Sequence, residues 1–172
     1  MVSRVVNLGL RGFEFLCTLI VLALVGNMIA SAFAGNPSLI NYDMFVAVFG
    51  MLSLFYLTAI AFNDSFTGHS IIPVVLDTLN VLFFFCAAVA MAAELGAHSC
   101  SNRSYTESNH ITNGSRNTGG RCREAQATTA FLWFAFAAWT ASLAFTFLGA
   151  RSGGVNLRGG LGRRGGPAMS QV

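Results

Sequence analysis

Cys100 and Cys122 frame a hydrophilic stretch between two long apolar runs, and that placement suits oxidation to a disulfide. The same stretch carries two acceptor sequences for N-linked sugar, Asn102-Arg103-Ser104 and Asn113-Gly114-Ser115. Both chemistries belong to an oxidising compartment. Asp77, with Asn80 three residues on, is the main ionisable group inside an apolar run. A carboxylate in hydrocarbon must face a bundle interior, hold a proton or reach the interface. No second buried charge is read as a relay partner, so the pair is expected to pin helices by hydrogen bonding. A proton- or ligand-linked site is the functional alternative. Asn27 is a further intramembrane polar group, near the outer half of the first run. His69, His98 and His110 fall in separate loop positions, with no H-E-x-x-H, C-x-x-C, nucleophile turn or phosphate loop. The sequence therefore predicts no catalytic residue, no metal site and no cofactor.

The elements that position these groups follow from composition. The chain has 172 residues, 54% hydrophobic and only 10% charged, with a mean hydropathy of +0.61. A soluble domain has about 25% charged residues, so this chain cannot coat a water-facing globule. Its ten cationic residues are all arginines and its net charge is +3, which excludes a nucleic-acid-binding stripe. A helix needs about 20 apolar residues to cross the hydrocarbon core. Four runs meet that length: 13–34, 42–62, 71–95 and 125–148. The expected fold is an all-α membrane protein, a four-transmembrane-helix bundle with one disulfide-bridged extracellular loop at 96–124. Residues 1–12 form an N-terminal segment, and 13–150 the membrane domain. The Gly- and Arg-rich end, 151–172, is expected to be a disordered basic tail. The first run exceeds the 7–15 residues typical of a signal core, so it is read as a retained helix.

Four crossings place both termini on one side of the bilayer. Arginines favour the cytoplasmic side by six to four, a thin margin. The loop cysteines and sequons point the same way: termini in the cytoplasm, 96–124 outside. Asn63-Asp64-Ser65 then lies on the cytoplasmic side, unmodified. Bridging Cys100 and Cys122 contributes about 3 kcal/mol in the chain-entropy model; with two helix ends already closing the loop, its expected effect is to order it.

Membrane lipids are the expected partners, and no nucleic acid. Trp133 and Trp139 lie deep in the fourth run among phenylalanines, away from the interfacial belt where Trp is usual. They are candidate contacts for a rigid lipid such as a sterol or ceramide, tight core packing being the plainer role. Arg11-x-Phe13-x-x-Leu16 fits an inverted cholesterol pattern, which makes Arg11 a third candidate. Arg151, Arg158, Arg163 and Arg164 form a basic tail suited to anionic inner-leaflet lipids. Small residues recur every four positions at Gly26-Ala30-Ala34 and Ala88-Ala92-Gly96. These rows suit close helix packing, and a surplus row suits a homo-oligomer.

The run His98-Ser99-Cys100, Ser104-Tyr105, Ser108-Asn109-x-Ile111 and Arg121-Cys122-Arg123-Glu124-Ala125-Gln126-Ala127 resembles the fungal non-classical export protein family. The resemblance extends to the four-span layout, the Asp in the third helix and the Ser170-Gln171-Val172 end. Asn117-Thr118-Gly119-Gly120 departs from the pattern as an insertion. The resemblance implies a MARVEL-domain tetraspan of the plasma membrane, in eisosome-type microdomains. It further implies a link to sphingolipid sensing, eisosome scaffold proteins as partners, and a tie to unconventional export. A small oligomeric transporter or channel with a polar path at Asp77 is the competing function.

Overall fold

The computed structural model describes residues 4–33, 35–62 and 71–152. Among these, the chain forms five helices and no strand: α1 (Arg4–Ala30), α2 (Ser38–Phe62), α3 (Ile71–Leu95), α4 (Arg103–Ser108) and α5 (Thr118–Ser152). The four long helices are each apolar enough to cross a bilayer. They pack in a closed ring, α1 on α2, α2 on α3, α3 on α5 and α5 on α1. Consecutive helices run antiparallel. One end of the bundle therefore gathers both termini, and the other gathers the α1–α2 turn and the hairpin that contains α4.

Local chemistry sets the helix ends. Pro37 starts α2, its carbonyl accepting from the amides of Ile40 and Asn41 at 3.1 and 3.4 Å. Gly96 ends α3 in the left-handed region (φ 54°), which favours glycine, and its amide reaches back to the Ala92 carbonyl. Asn117 caps α5, its side-chain oxygen accepting from the Gly120 amide at 2.9 Å and its carbonyl from Arg121. The Asn117–Gly120 stretch thus serves as a cap and first turn. The helices differ from the expected spans accordingly. α1 begins at Arg4 rather than Phe13, and α5 begins at Thr118 rather than Ala125. The expected loop at 96–124 contains α4 and the opening of α5.

The interior is a narrow apolar column. Val21, Val25 and Met28 of α1, Ile40, Val46 and Leu54 of α2, Phe84 and Met91 of α3, and Leu132 and Trp139 of α5 share one buried cluster. Gly50 brings α2 close to α3: an added Cβ would stand 2.9 Å from the Phe84 ring. The outer surface is apolar as well, with Leu52, Phe55, Phe134 and Leu148 more than half exposed. An exposed apolar surface of that extent is matched by lipid rather than water. In lipid, apolar burial supplies little force between helices, so packing and polar ties must hold them together.

Candidate functional site

Polar ties concentrate at the terminal end of the bundle. Arg11 lies two turns into α1 and is 4% exposed; Glu14 and Asp77 are fully buried. The Arg11 guanidinium donates to both Asp77 carboxylate oxygens, at 2.8 and 2.9 Å, in a two-pronged pair. Its Nη1 also donates to Glu14 Oε2 at 3.0 Å. Thr146 of α5 donates its hydroxyl to Asp77 Oδ2 at 2.8 Å. The guanidinium carbon sits 5.4 Å from the centre of the Trp139 ring, a cation–π contact. Trp139 in turn stacks on Phe84. One arginine thereby joins α1 to α3 and α5. Asn80 is buried one turn from Asp77, its amide nitrogen donating to the Leu76 carbonyl at 2.9 Å.

Two expectations are corrected here. Asp77 has a charged partner inside the bundle, Arg11, which also holds a second acid, Glu14, where none was read from the sequence. Arg11 and Trp139 face the core and not lipid. The signal that places them is the helical stripe: Arg11, Glu14 and Thr18 recur at three- and four-residue spacing on α1, as do Trp139, Ser142 and Thr146 on α5. Trp133 does reach the outer surface, 39% exposed, with its ring edge-on to Phe85 and Phe136. Asp43, fully buried in the hairpin half of α2, is a further acid that the sequence reading passed over. Neither of its carboxylate oxygens has a hydrogen-bond partner among the described residues.

The opposite end carries a built hairpin. Cys100 and Cys122 form a disulfide, with Cα atoms 5.6 Å apart. Beside it, Arg121 is buried and bridges three segments. It donates to the Met28 carbonyl near the end of α1, to the Ile111 carbonyl at 2.7 Å and to Asn36 Oδ1 at 3.3 Å. Tyr105 of α4 donates to the Leu95 carbonyl at 2.6 Å, and Asn109 to the Glu94 carbonyl at 2.8 Å. These bonds satisfy carbonyls that the end of α3 leaves open. Burial pushes the Tyr105 phenol above its ordinary pKa, so the ring stays a neutral donor. Asn27 is exposed at this end and donates to Glu124 at 2.6 Å, tying α1 to α5. Asn102 caps α4 by accepting from the Tyr105 amide, and both Asn102 and Asn113 are exposed. Arg151 lies in the last turn of α5. Arg158, Arg163 and Arg164 lie outside the described residues, as does the sequon at Asn63.

Among the described residues no group of three or more His, Cys, Asp or Glu is placed to hold a metal. Fold and interior define a class: a four-span membrane bundle held by one buried ion cluster and closed at one end by a disulfide hairpin. The model of the membrane-associating MARVEL domain matches residues 4–145. Non-classical export protein 102 of Candida albicans is 39% identical over 165 residues, covering 95% of each chain. Non-classical export protein 2 of Saccharomyces cerevisiae is 33% identical over 179 residues, again covering 95% of each. A Schizosaccharomyces pombe homologue of the latter is 33% identical, covering 77% of this chain and 71% of its own. The chain belongs to the fungal non-classical export family of MARVEL membrane proteins. No solved structure matches it.

Proposed function

We propose that this protein is a non-enzymatic organiser of lipid microdomains in the plasma membrane, of the eisosome type, that responds to sphingolipid. The observation that carries the reading is the aromatic outer face over a locked interior. Phe45 packs against Phe49 and Phe83 across α2 and α3, with centroids 6.0 and 5.5 Å apart. Phe85 meets Trp133 and Phe136 across α3 and α5, at 6.3 and 5.2 Å. Flat rings presented outward suit the stiff chains and rings of ceramides and sterols. The interior, by contrast, has Arg11 and Thr146 on Asp77, which supports a structural tie over a transport path. In this reading the termini face the cytosol and the hairpin faces outward. The Arg-rich end then engages anionic inner-leaflet lipids and eisosome scaffold proteins, and the tie to unconventional export follows from membrane-domain organisation.

Lipid mass spectrometry on gently purified protein tests the reading, with native mass measured in parallel for oligomer state. Sphingolipid or sterol enriched over the bulk membrane, and reduced by Trp133→Ala, is the expected result. Truncation after Ala150 should alter lateral clustering while leaving membrane insertion intact. Reconstituted solute flux that vanishes in Asp77→Asn, with no lipid enrichment, would replace this reading with a transporter.

A further inference from the structure

The ion cluster does not balance. One guanidinium serves two carboxyl groups, all three are buried, and among the described residues no other cation stands in the contact. A buried uncompensated charge is costly in any low-dielectric interior and more so within a bilayer. The two acids are not equivalent. Asp77 receives three donors, two from Arg11 and one from Thr146. Glu14 receives one, on Oε2, while its Oε1 is buried without a partner. Asp77 therefore holds the larger share of the donors, and Glu14 the smaller.

We propose that Glu14 carries a proton on Oε1, so that the cluster is a neutral proton-binding site built around an Arg11–Asp77 pair. Ser142 faces Glu14 from α5, and Thr18 stands one turn further along the same face of α1. Both hydroxyl oxygens lack partners among the described residues, as does Asn80 Oδ1. Each hydroxyl oxygen can accept an O–H placed on Oε1, and the Ser142 hydroxyl can donate to that oxygen when it is bare. Arg11 Nε and Trp139 Nε1 are buried donors without partners in the same region, so donors and acceptors are both left over. Among the described residues, the other titratable groups set against Glu14 are Cys17 on its own helix and Asp77 on α3. Loss of the proton would leave two carboxylates competing for one guanidinium at the junction of α1, α3 and α5. That supplies two arrangements of the terminal end, and any ligand that prefers one shifts their balance. The assignment stands independently of the lipid-organiser reading.

Infrared difference spectroscopy on the full chain in nanodiscs tests it. Wild type minus Glu14→Gln should show the carbonyl stretch of a protonated carboxyl at neutral pH, shifted in D2O. Any contribution from Asp43 is common to both samples and cancels. Glu14→Gln, the neutral isostere, should fold and melt no lower than wild type, whereas Asp77→Asn should melt lower. Absence of the band overturns the proposal, and so does a Glu14→Gln protein that fails to fold. A wild-type melting point that rises with sodium over choline, without the band, assigns the site to a monovalent cation instead and equally overturns it.

Discussion

Arg11 joins α1 to both α3 and α5 at the terminal end, and its loss should be felt accordingly. Arg11→Met leaves Asp77 buried and uncompensated, which should cost about 3–5 kcal/mol. Replacing both members, as Arg11→Met with Asp77→Leu, should restore much of that loss, because a buried pair repays little beyond its own desolvation. Thermal unfolding of the three variants in one detergent measures the difference. The sequence made half of this pair legible. Asp77 stands out as an acid within an apolar run, whereas Arg11 lies near the start of its helix, where every arginine is read as an interfacial charge. A pair separated by 66 positions leaves no local mark. Glu14 was visible as the one charge at the start of the first run but not as a member of the cluster, and Asp43 was hidden close to the beginning of the second. Trp139 was ambiguous because composition alone does not distinguish a ring facing the core from one facing lipid.

At the scale of the elements, two glycines should respond oppositely to the same change. Gly50→Ala drives a methyl toward Phe84 across the α2–α3 contact and should destabilise by about 1–3 kcal/mol. Gly9→Ala meets nothing within 4 Å in α1 and should be neutral or stabilising by up to about 1 kcal/mol. Melting temperatures read both. In the hairpin, Cys122→Ser should leave all four long helices in place while loosening residues 96–117, a local loss of about 2–4 kcal/mol. Hydrogen exchange should rise over α4 and stay unchanged in α3. Arg121→Lys should loosen the same hairpin and the α1–α2 turn together, since an ammonium cannot span three segments as the planar fork does. The four long helices were legible from apolar run length, though the short α4 was not, and the disulfide was legible from two cysteines framing a loop. Arg121 was not, because a charged residue within a polar loop looks solvated until the turn it caps is seen.

For the whole molecule, the distinction between the outer and inner faces can be read by fluorescence. Brominated lipid should quench Trp133 strongly and Trp139 weakly, since the first is 39% exposed and the second fully buried. Trp133→Phe should therefore abolish most quenching, and Trp139→Phe very little. Equal quenching of the two would place Trp139 on the outer surface. Sidedness is a separate matter, open to a protease applied to intact cells. Cleavage of the Arg- and Gly-rich end with the Cys-flanked segment spared would reverse the proposed orientation.

α5 runs for 35 residues, a rod of about 52 Å against a hydrocarbon core of about 30 Å. It is welded to the hairpin at Cys122 and continuous with the Arg-rich end beyond Ser152. A bilayer that thickens stands such a rod more upright, and one that thins tips it over. The two overhanging ends then swing in opposite directions, so a change in membrane thickness reaches both aqueous sides through a single continuous lever.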